Sequence, residues 1–139
     1  MNPSGGPPVQ PPASGRNAVI GPRRLGRQVL YRIVRGPVPE VSDFHSDSRA
    51  GQVQTPIQRK YPELFHSLSM WDNARHAVSR ANFAAGERVA RLVIPAGMAS
   101  NEIAIHPTPA TPHHVDVWGT AEALLTCKYD ILQEGRRRR

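Results

Sequence analysis

Apolar residues change their spacing twice in the middle of the chain, and this change predicts its central unit. Leucine and methionine alternate with serine over residues 67–71, which is typical of a β-strand. Apolar residues then recur at helical spacing over 73–85, with Asp72 placed to cap the helix and Gly86 suited to the left-handed position after it. Residues 88–94 are apolar on both faces, as expected for a strand inside a sheet. The pattern predicts a strand, a helix and a second strand.

Weaker patterns on either side predict the remaining elements. Further strands are predicted over residues 28–35, 102–106, 113–118 and 125–132, and short helices over 43–50, 61–66 and 121–125. Residues 51–59 are polar and interrupted by proline, which indicates an exposed loop. The elements together predict a single α+β domain. Its sheet is expected to be small and mixed, with five or six strands, one main helix across one face and two or three short helices.

The positive charge of the chain lies mostly outside this predicted domain. The sequence has 18 basic and 11 acidic residues, a formal net charge of +7. Eight of the arginines lie at the two ends, namely Arg16, Arg23, Arg24, Arg27, Arg136, Arg137, Arg138 and Arg139. Without those eight, 10 basic residues face 11 acidic ones, a net charge of −1. We therefore predict a disordered tail rich in proline, glycine and arginine over residues 1–26, a domain over 27–133 and an arginine-rich tail over 134–139.

The lengths of the apolar runs and the single cysteine predict the compartment and the redox chemistry of the protein. No run of 18 apolar residues occurs, and no apolar signal core follows Met1, so we expect a cytoplasmic protein without a membrane partner. The single cysteine, Cys127, cannot form an intramolecular disulfide. It lies in an apolar predicted strand, where burial raises a thiol pKa, so we expect a core residue rather than a nucleophile.

Five short motifs occur in a recognisable order between residues 30 and 132. They read LYRIV, PELF, LSMWDNAR, ERVARLVIP and HHVDVWGTAEALL. In order and spacing they resemble a group of small uncharacterised bacterial proteins. Asn73 and Thr120 differ from the residues usual in that group, and both still suit their turns. The resemblance implies a compact α+β domain, and no established activity follows from it.

A looser resemblance concerns Arg32 on the first strand, Ser67 and Ser69 on the second, and Glu102 further on. This order of parts is similar to that of ADP-ribosyltransferase-like proteins. The resemblance implies that Arg32 holds NAD, that the serines support the pocket and that Glu102 stabilises a ribosyl cation. Arg32, Ser69 and Glu102 are then the candidate catalytic residues. Glu102 lacks the acidic residue or glutamine two positions earlier that protein-modifying members carry, which argues against a protein substrate.

Aromatic and histidine side chains supply the remaining candidates for ligand contact. The candidate substrate-binding residues are Tyr31, Ser67, Trp71, His114 and Trp118. The aromatic rings among them are suited to stack on a base or a nicotinamide, although aromatic residues at strand ends more often fill the core. His106, His113, His114 and Asp116 lie close together in sequence, but their spacing matches no standard metal site. We predict no metal and no cofactor, apart from NAD under the transferase hypothesis.

Two classes of function are consistent with these observations. The first, which we favour, is a binding or regulatory module that contacts a protein or nucleic acid partly through its basic tails. Its candidate nucleic-acid contacts are Arg136, Arg137, Arg138 and Arg139. The second is a nucleotide-handling enzyme or toxin-like effector that uses NAD. The second requires Arg32, Ser69 and Glu102 to converge on one cavity of a few hundred cubic ångströms.

Overall fold

A computed structural model of the protein describes residues 20–47 and 50–132. Its centre is a sheet whose strands are β1 (Gln28–Val34), β2 (Leu68–Trp71), β3 (Arg88–Ile94), β4 (Ala104–Pro107), β5 (His114–Trp118) and β6 (Lys128–Ile131). The spatial order is β4-β5-β2-β1-β3-β6. The α+β class and the strand number are as the alternating patterns predict.

All five pairings in the sheet are antiparallel, where a mixed sheet was expected. The two strands of the predicted central unit, β2 and β3, do run in the same direction. However, β1 lies between them and pairs antiparallel with both, so they never pair with each other. The connection from β2 to β3 therefore crosses β1, and every hydrogen-bonded pair of strands is antiparallel.

Four short α-helices and three 3₁₀ turns connect the strands of the described chain. The helices are α1 (Pro56–Lys60), α2 (Ala74–Arg80), α3 (Ala96–Asn101) and α4 (Ala121–Leu125). The 3₁₀ turns are Val41–Phe44, Pro62–His66 and Phe83–Ala85. The prediction of α4 and of its cap is confirmed, because Thr120 Oγ1 accepts from the Ala123 amide at 3.1 Å.

The main helix is shorter than its periodicity predicts. It begins after Asn73, whose side chain caps it in place of Asp72 by accepting from the His76 amide at 3.1 Å. It ends at Arg80, because Asn82 begins a separate 3₁₀ turn by accepting from the Ala85 amide at 3.2 Å. Gly86 follows that turn with φ of 95°, as expected for a left-handed residue.

Two helices lie where the sequence predicts none. Helix α1 falls within the predicted loop, where Thr55 and Gln58 form a reciprocal capping box around Pro56. Helix α3 precedes β4, which consequently begins at Ala104, two residues later than expected. The N-cap residue of the first 3₁₀ turn is Glu40, not the predicted Ser42, and the Asp43 side chain accepts from the Glu40 amide. The capping boxes of α1 and of the first 3₁₀ turn are local hydrogen-bond motifs, which apolar periodicity does not detect.

The two faces of the sheet carry separate apolar clusters. One face holds the larger cluster, which includes Leu30, Val34, Met70, Leu92, Ile105 and Val117 and is covered by Phe44, α3 and α4. The other face packs Trp71 and Val89 against Ala77 of α2. A third cluster joins Ile20, Ala104 and Trp118 beside the β4 edge. Helices therefore cover both faces of the sheet.

The N-terminal segment (residues 20–24) belongs to the fold, which corrects the predicted boundary at residue 27. Ile20 is only 1% exposed. The Gly21 amide donates to the Pro107 carbonyl at 2.8 Å, and the Arg24 amide donates to the Ile105 carbonyl at 2.7 Å, so the segment covers the outer edge of β4. Arg23 and Arg24 are thus part of the domain.

The rest of the two predicted tails, residues 1–19 and 134–139, lies outside the described residues. The prediction of a disordered N-terminal tail therefore stays a prediction for residues 1–19. The same holds for the C-terminal tail and for its four candidate contact residues, Arg136, Arg137, Arg138 and Arg139.

An ion pair fixes the end of the N-terminal segment to the end of β2. Nη1 of Arg24 donates to one oxygen of Asp72 at 2.9 Å, and Nδ1 of His113 lies 2.9 Å from the other oxygen. Burial opposes ionisation of Asp72, but the hydrogen bonds from Arg24 and His113 outweigh it and lower the pKa of Asp72 below its ordinary value.

No helix among the described residues is long and apolar enough to cross a membrane.

We predict that Ile20→Ala lowers the free energy of unfolding by about 2–4 kcal/mol, because it leaves a cavity in a packed cluster. Leu25→Ala is the matched control, since Leu25 is 63% exposed in the same part of the chain and its loss should cost less than about 0.5 kcal/mol. Urea unfolding of the full chain measures both. Equal, small effects would show that the N-terminal segment does not belong to the core.

Candidate functional site

β1 and β2 diverge directly after their only paired position, and a side chain fills the gap between them. Tyr31 pairs with Trp71, and no further pair of these two strands forms within the described residues. Beyond that point the guanidinium of Arg32 bridges the gap. Its Nη1 donates to the Ser69 carbonyl at 2.7 Å, and its Nε donates to the Asp43 carbonyl at 2.8 Å. A side chain therefore satisfies a strand carbonyl that a regular ladder would satisfy with a backbone amide.

The divergence opens a cavity of about 380 Å³ beside Arg32. We call it the Arg32–Asp116 cavity. Its polar lining consists of Arg32, His45, Ser46, Asp47, Gln58, Ser67, Ser69, Thr108 and Asp116, and its apolar lining of Ile57, Leu64, Leu68 and Ala110. The lining comes from β1, β2, β5, α1 and the loops after the first 3₁₀ turn and β4, so residues distant in sequence meet here.

Arg32 is half-buried and lies near compensating negative charge. Burial lowers its pKa to about 10, while Asp43 and Asp47 act in the opposite direction and Arg35 adds to the lowering. The guanidinium therefore stays protonated at neutral pH. The Asp43 carboxylate is itself buried and accepts from the backbone amides of Arg35 at 3.0 Å and Glu40 at 2.9 Å.

Asp116 is the buried carboxyl group of the cavity. It lies on β5 directly opposite Ser69 of β2 and is only 6% exposed. Burial raises its pKa to about 6, although the neighbouring hydroxyls of Thr108 and Ser67 favour the ionised form. No cation of the described ranges forms an ion pair with it. Asp116 thus changes its charge close to neutral pH.

A short hydrogen-bonded chain connects Asp116 to a histidine. Oγ1 of Thr108 donates to Oδ2 of Asp116 at 2.8 Å and lies 2.7 Å from Nδ1 of His114. A hydroxyl has one proton, so when Thr108 donates to Asp116 it must accept from His114, which fixes the proton on Nδ1. Burial and the charge of Arg80 lower the pKa of His114, so the ring is neutral at pH 7.

The predicted catalytic residues are only partly brought together. Arg32 and Ser69 touch through the Ser69 carbonyl and both line the cavity, as does Ser67. Glu102 does not line it. It lies exposed at the end of α3, beside the edge strand β4. The convergence of all three residues, which the transferase hypothesis requires, is therefore not found.

The predicted aromatic contacts are packing contacts. The Trp71 ring meets His114 edge to face at 4.7 Å between centroids and also contacts the guanidinium of Arg80, which lies 4.7 Å from its centroid. Trp118 is buried and donates its Nε1 to the Glu63 carbonyl at 2.9 Å. Tyr31 packs against the Trp71 cluster. None of the three aromatic residues lines the Arg32–Asp116 cavity.

His106, His113 and Cys127 each contact a different partner. Nδ1 of buried His106 lies 2.8 Å from the Gly21 carbonyl, and burial lowers its pKa. His113 contacts Asp72 instead. Within the described ranges no three histidine, cysteine or acidic residues are grouped as metal ligands would be. Cys127 is buried with its Sγ 3.5 Å from the sulfur of Met98, and burial raises its pKa.

Sequence reasoning missed the role of Asp116 and of its neighbours Thr108, Asp47 and Gln58. Asp116 alternates with Val115 and Val117, as a polar residue on the exposed face of a strand would, so the pattern did not indicate that the carboxyl is buried. Asp47 and Gln58 gave no signal either. They reach the cavity through a turn and through helix α1, and Gln58 Nε2 donates to Asp47 at 2.8 Å.

No family model, no curated protein and no solved structure matches this chain. The site must therefore be interpreted from its own geometry.

We predict that Asp116→Asn stabilises the protein at pH 7.5 and has almost no effect at pH 4. The folded-state pKa of about 6 exceeds the reference value of 3.8, so the wild type loses stability as pH rises between these values, because a buried carboxyl must ionise. The difference corresponds to at most roughly 3 kcal/mol, and asparagine can still accept from Thr108.

Urea unfolding at both pH values measures this difference. Asp130→Asn is the control, since Asp130 is exposed on β6 and should give a small effect. A less stable Asp116→Asn variant at pH 7.5 would show that the carboxylate supports the fold.

Proposed function

We propose that this protein is a small binding module whose ligand site is the Arg32–Asp116 cavity. The observation that carries the proposal is a cavity of about 380 Å³ whose lining, backed by apolar residues, includes a half-buried guanidinium and a buried carboxyl group. Ligand sites typically have volumes of about 300–1,000 Å³, with a few polar groups that orient the ligand. The geometry suits a small polar molecule rather than a polymer.

Binding accounts for the hydrogen bonds of the cavity better than catalysis does. Among the described lining residues, the hydroxyl in contact with a histidine is that of Thr108, and it lies between His114 and Asp116. In a nucleophilic triad the histidine instead lies between the hydroxyl and the carboxylate, so that it can take the proton. Here the hydroxyl donates directly to the carboxyl and accepts from His114, so the histidine is not placed to take its proton.

The proposed module retains the predicted contacts of its basic tails. Arg136, Arg137, Arg138 and Arg139 lie outside the described residues, so contact with a nucleic acid or a protein partner stays a prediction from charge. The cavity and the tails are separate hypotheses. A ligand in the cavity is expected to leave tail-dependent binding unchanged unless the two are coupled.

An NAD-handling enzyme is the second candidate, because Arg32, Ser67 and Ser69 do line one cavity. This alternative no longer uses the predicted Glu102, which does not line the cavity, and assigns Asp116 as the carboxylate that stabilises positive charge on a ribose. The substitution is chemically reasonable, since both are carboxyl groups and only Asp116 lines the cavity. The proposal of a binding module does not depend on this alternative.

We predict that Ala110→Trp blocks ligand binding, because Ala110 is an exposed residue on the rim of the cavity and an indole there would fill it. Two-dimensional NMR of the full chain, recorded against a panel of small cationic, anionic and neutral compounds, should show shifts of the Ser69 and Asp116 amides. Ala84→Trp, at an exposed position outside the cavity lining, is the matched control and should bind normally. Unchanged binding by Ala110→Trp would place the site elsewhere.

The enzyme alternative predicts a thermal shift with NAD. A ligand at 100 times its dissociation constant stabilises a protein by about 2.7 kcal/mol, which is readily measured. The shift should be absent in Ala110→Trp and unchanged in Glu102→Gln, because Glu102 does not line the cavity. If NAD gives no shift in the wild type, the enzyme alternative is wrong.

A further inference from the structure

We propose that the ligand of the Arg32–Asp116 cavity is a small organic cation, a primary ammonium group on a short alkyl body, with Asp116 as its counter-ion. The inference rests on the proposed binding function and specifies its ligand class. It follows from the charge balance around the cavity, from the hydrogen-bond capacity of Asp116 and from the composition of the walls.

Among residues 20–47 and 50–132, the charge balance leaves one carboxylate uncompensated. Arg32 is the one permanent cation among the described lining residues, and two carboxylates, Asp43 and Asp47, act on it from nearby. Asp116 has no ion-pair partner of its own within residues 20–47 and 50–132. When Asp116 ionises, the lining therefore carries a negative charge that a bound cation would neutralise. An isolated buried charge is costly, so the gain from such a ligand is large.

Asp116 also has unused capacity to accept hydrogen bonds. Thr108 donates to its Oδ2 at 2.8 Å. The hydroxyl of Ser67, which also contacts the Leu64 carbonyl at 3.0 Å, is the other neighbour that favours the ionised carboxyl. A carboxylate can accept about four hydrogen bonds, so about two positions stay open to the N–H donors of an ammonium group. The two groups are therefore complementary in charge and in hydrogen bonding.

The charged and titratable groups around Asp116 do not take the place of such a ligand. From β4, His106 lies opposite Asp116 in the register, but its Nδ1 is engaged with the Gly21 carbonyl. From β5, His114 reaches Asp116 only through Thr108. Around the cavity stand Arg32, His45 and Asp47, and Arg32 donates to the Ser69 and Asp43 carbonyls.

The walls indicate which kind of cation fits. Ile57, Leu64, Leu68 and Ala110 give the cavity aliphatic surface that an alkyl chain can cover. No phenylalanine, tyrosine or tryptophan of the described ranges lines it. Quaternary ammonium ions are typically held in cages of such rings, so a primary ammonium with several N–H donors is the better match.

The affinity of this ligand is expected to follow the ionisation of Asp116. An alkylammonium keeps its charge from pH 5 to pH 8, because amine pKa values lie near about 10.4. Asp116 has a pKa of about 6 and is largely protonated at pH 5. The dissociation constant should therefore be about tenfold higher at pH 5 than at pH 8, as one pH unit below a pKa leaves roughly one-tenth of the group ionised.

The test is an NMR titration of the full chain with three probes of equal length, namely n-butylammonium, n-butanol and butyrate. At pH 8 n-butylammonium should shift the Ser69 and Asp116 amides, and the other two probes should bind at least tenfold more weakly. Asp116→Asn should weaken n-butylammonium binding at least tenfold. Asp130→Asn, which removes an exposed carboxylate outside the lining, should leave it unchanged.

Each contrary result has a distinct meaning. Equal binding of n-butylammonium by the wild type and Asp116→Asn, or no weakening at pH 5, would overturn the assignment of Asp116 as counter-ion. Tighter binding of butyrate or n-butanol, blocked by Ala110→Trp, would overturn the cation and leave the binding module standing. Absence of any shift with all three probes and with the wider panel would overturn both proposals.

Discussion

The structure depends on how Arg32 is accommodated between two buried neighbours. Leu30 and Val34 lie on the same face of β1 and are fully buried, so the guanidinium between them must find hydrogen-bond acceptors inside the protein. It finds them in the carbonyls of Ser69 and Asp43. This bridging lets β1 and β2 diverge without leaving the Ser69 carbonyl unpaired, and the divergence creates the cavity. One cation thus supports both the local sheet geometry and the candidate site.

The carboxyl group of Asp116 is a second charged group of the cavity, opposite in sign to Arg32. Its burial makes ionisation unfavourable, and its firm hydrogen bond from Thr108 compensates only in part. A group in this state reduces stability at neutral pH, and proteins commonly tolerate such a loss where a ligand is bound. The N-terminal segment and the Arg24–Asp72 ion pair lie outside the cavity lining, and hold the β4 edge and the end of β2 in place. The N-terminal segment and its ion pair therefore stabilise the domain, whereas the ionised form of Asp116 destabilises it.

Sequence patterns predicted the elements well where burial alone decides them. Strands β1, β2, β3 and β5 were located to within one residue at each end, and the Gly86 and Thr120 signals were correct. Patterns failed where a side chain overrides periodicity. The main helix ends early because Asn82 caps a separate 3₁₀ turn, and the Thr55–Gln58 capping box stabilises α1 within a polar stretch. Ile20 is buried in the fold although it lies in the predicted tail. The candidate site was half predicted, because Arg32, Ser67 and Ser69 line the cavity whereas Glu102 does not.

The sequence by itself determined the α+β class and the number of strands, since these follow from local periodicity. Only the tertiary structure decided that the carboxyl group of Asp116 lines the same cavity as Arg32. Asp116 is far from Arg32 in the chain and reaches the cavity because β5 pairs with β2, a neighbour that no local pattern specifies. Burial of that carboxyl, and hence its shifted pKa, is likewise a property of packing. The chemistry of the site therefore arises from long-range pairing of strands, which acts beyond the range over which residue patterns carry information.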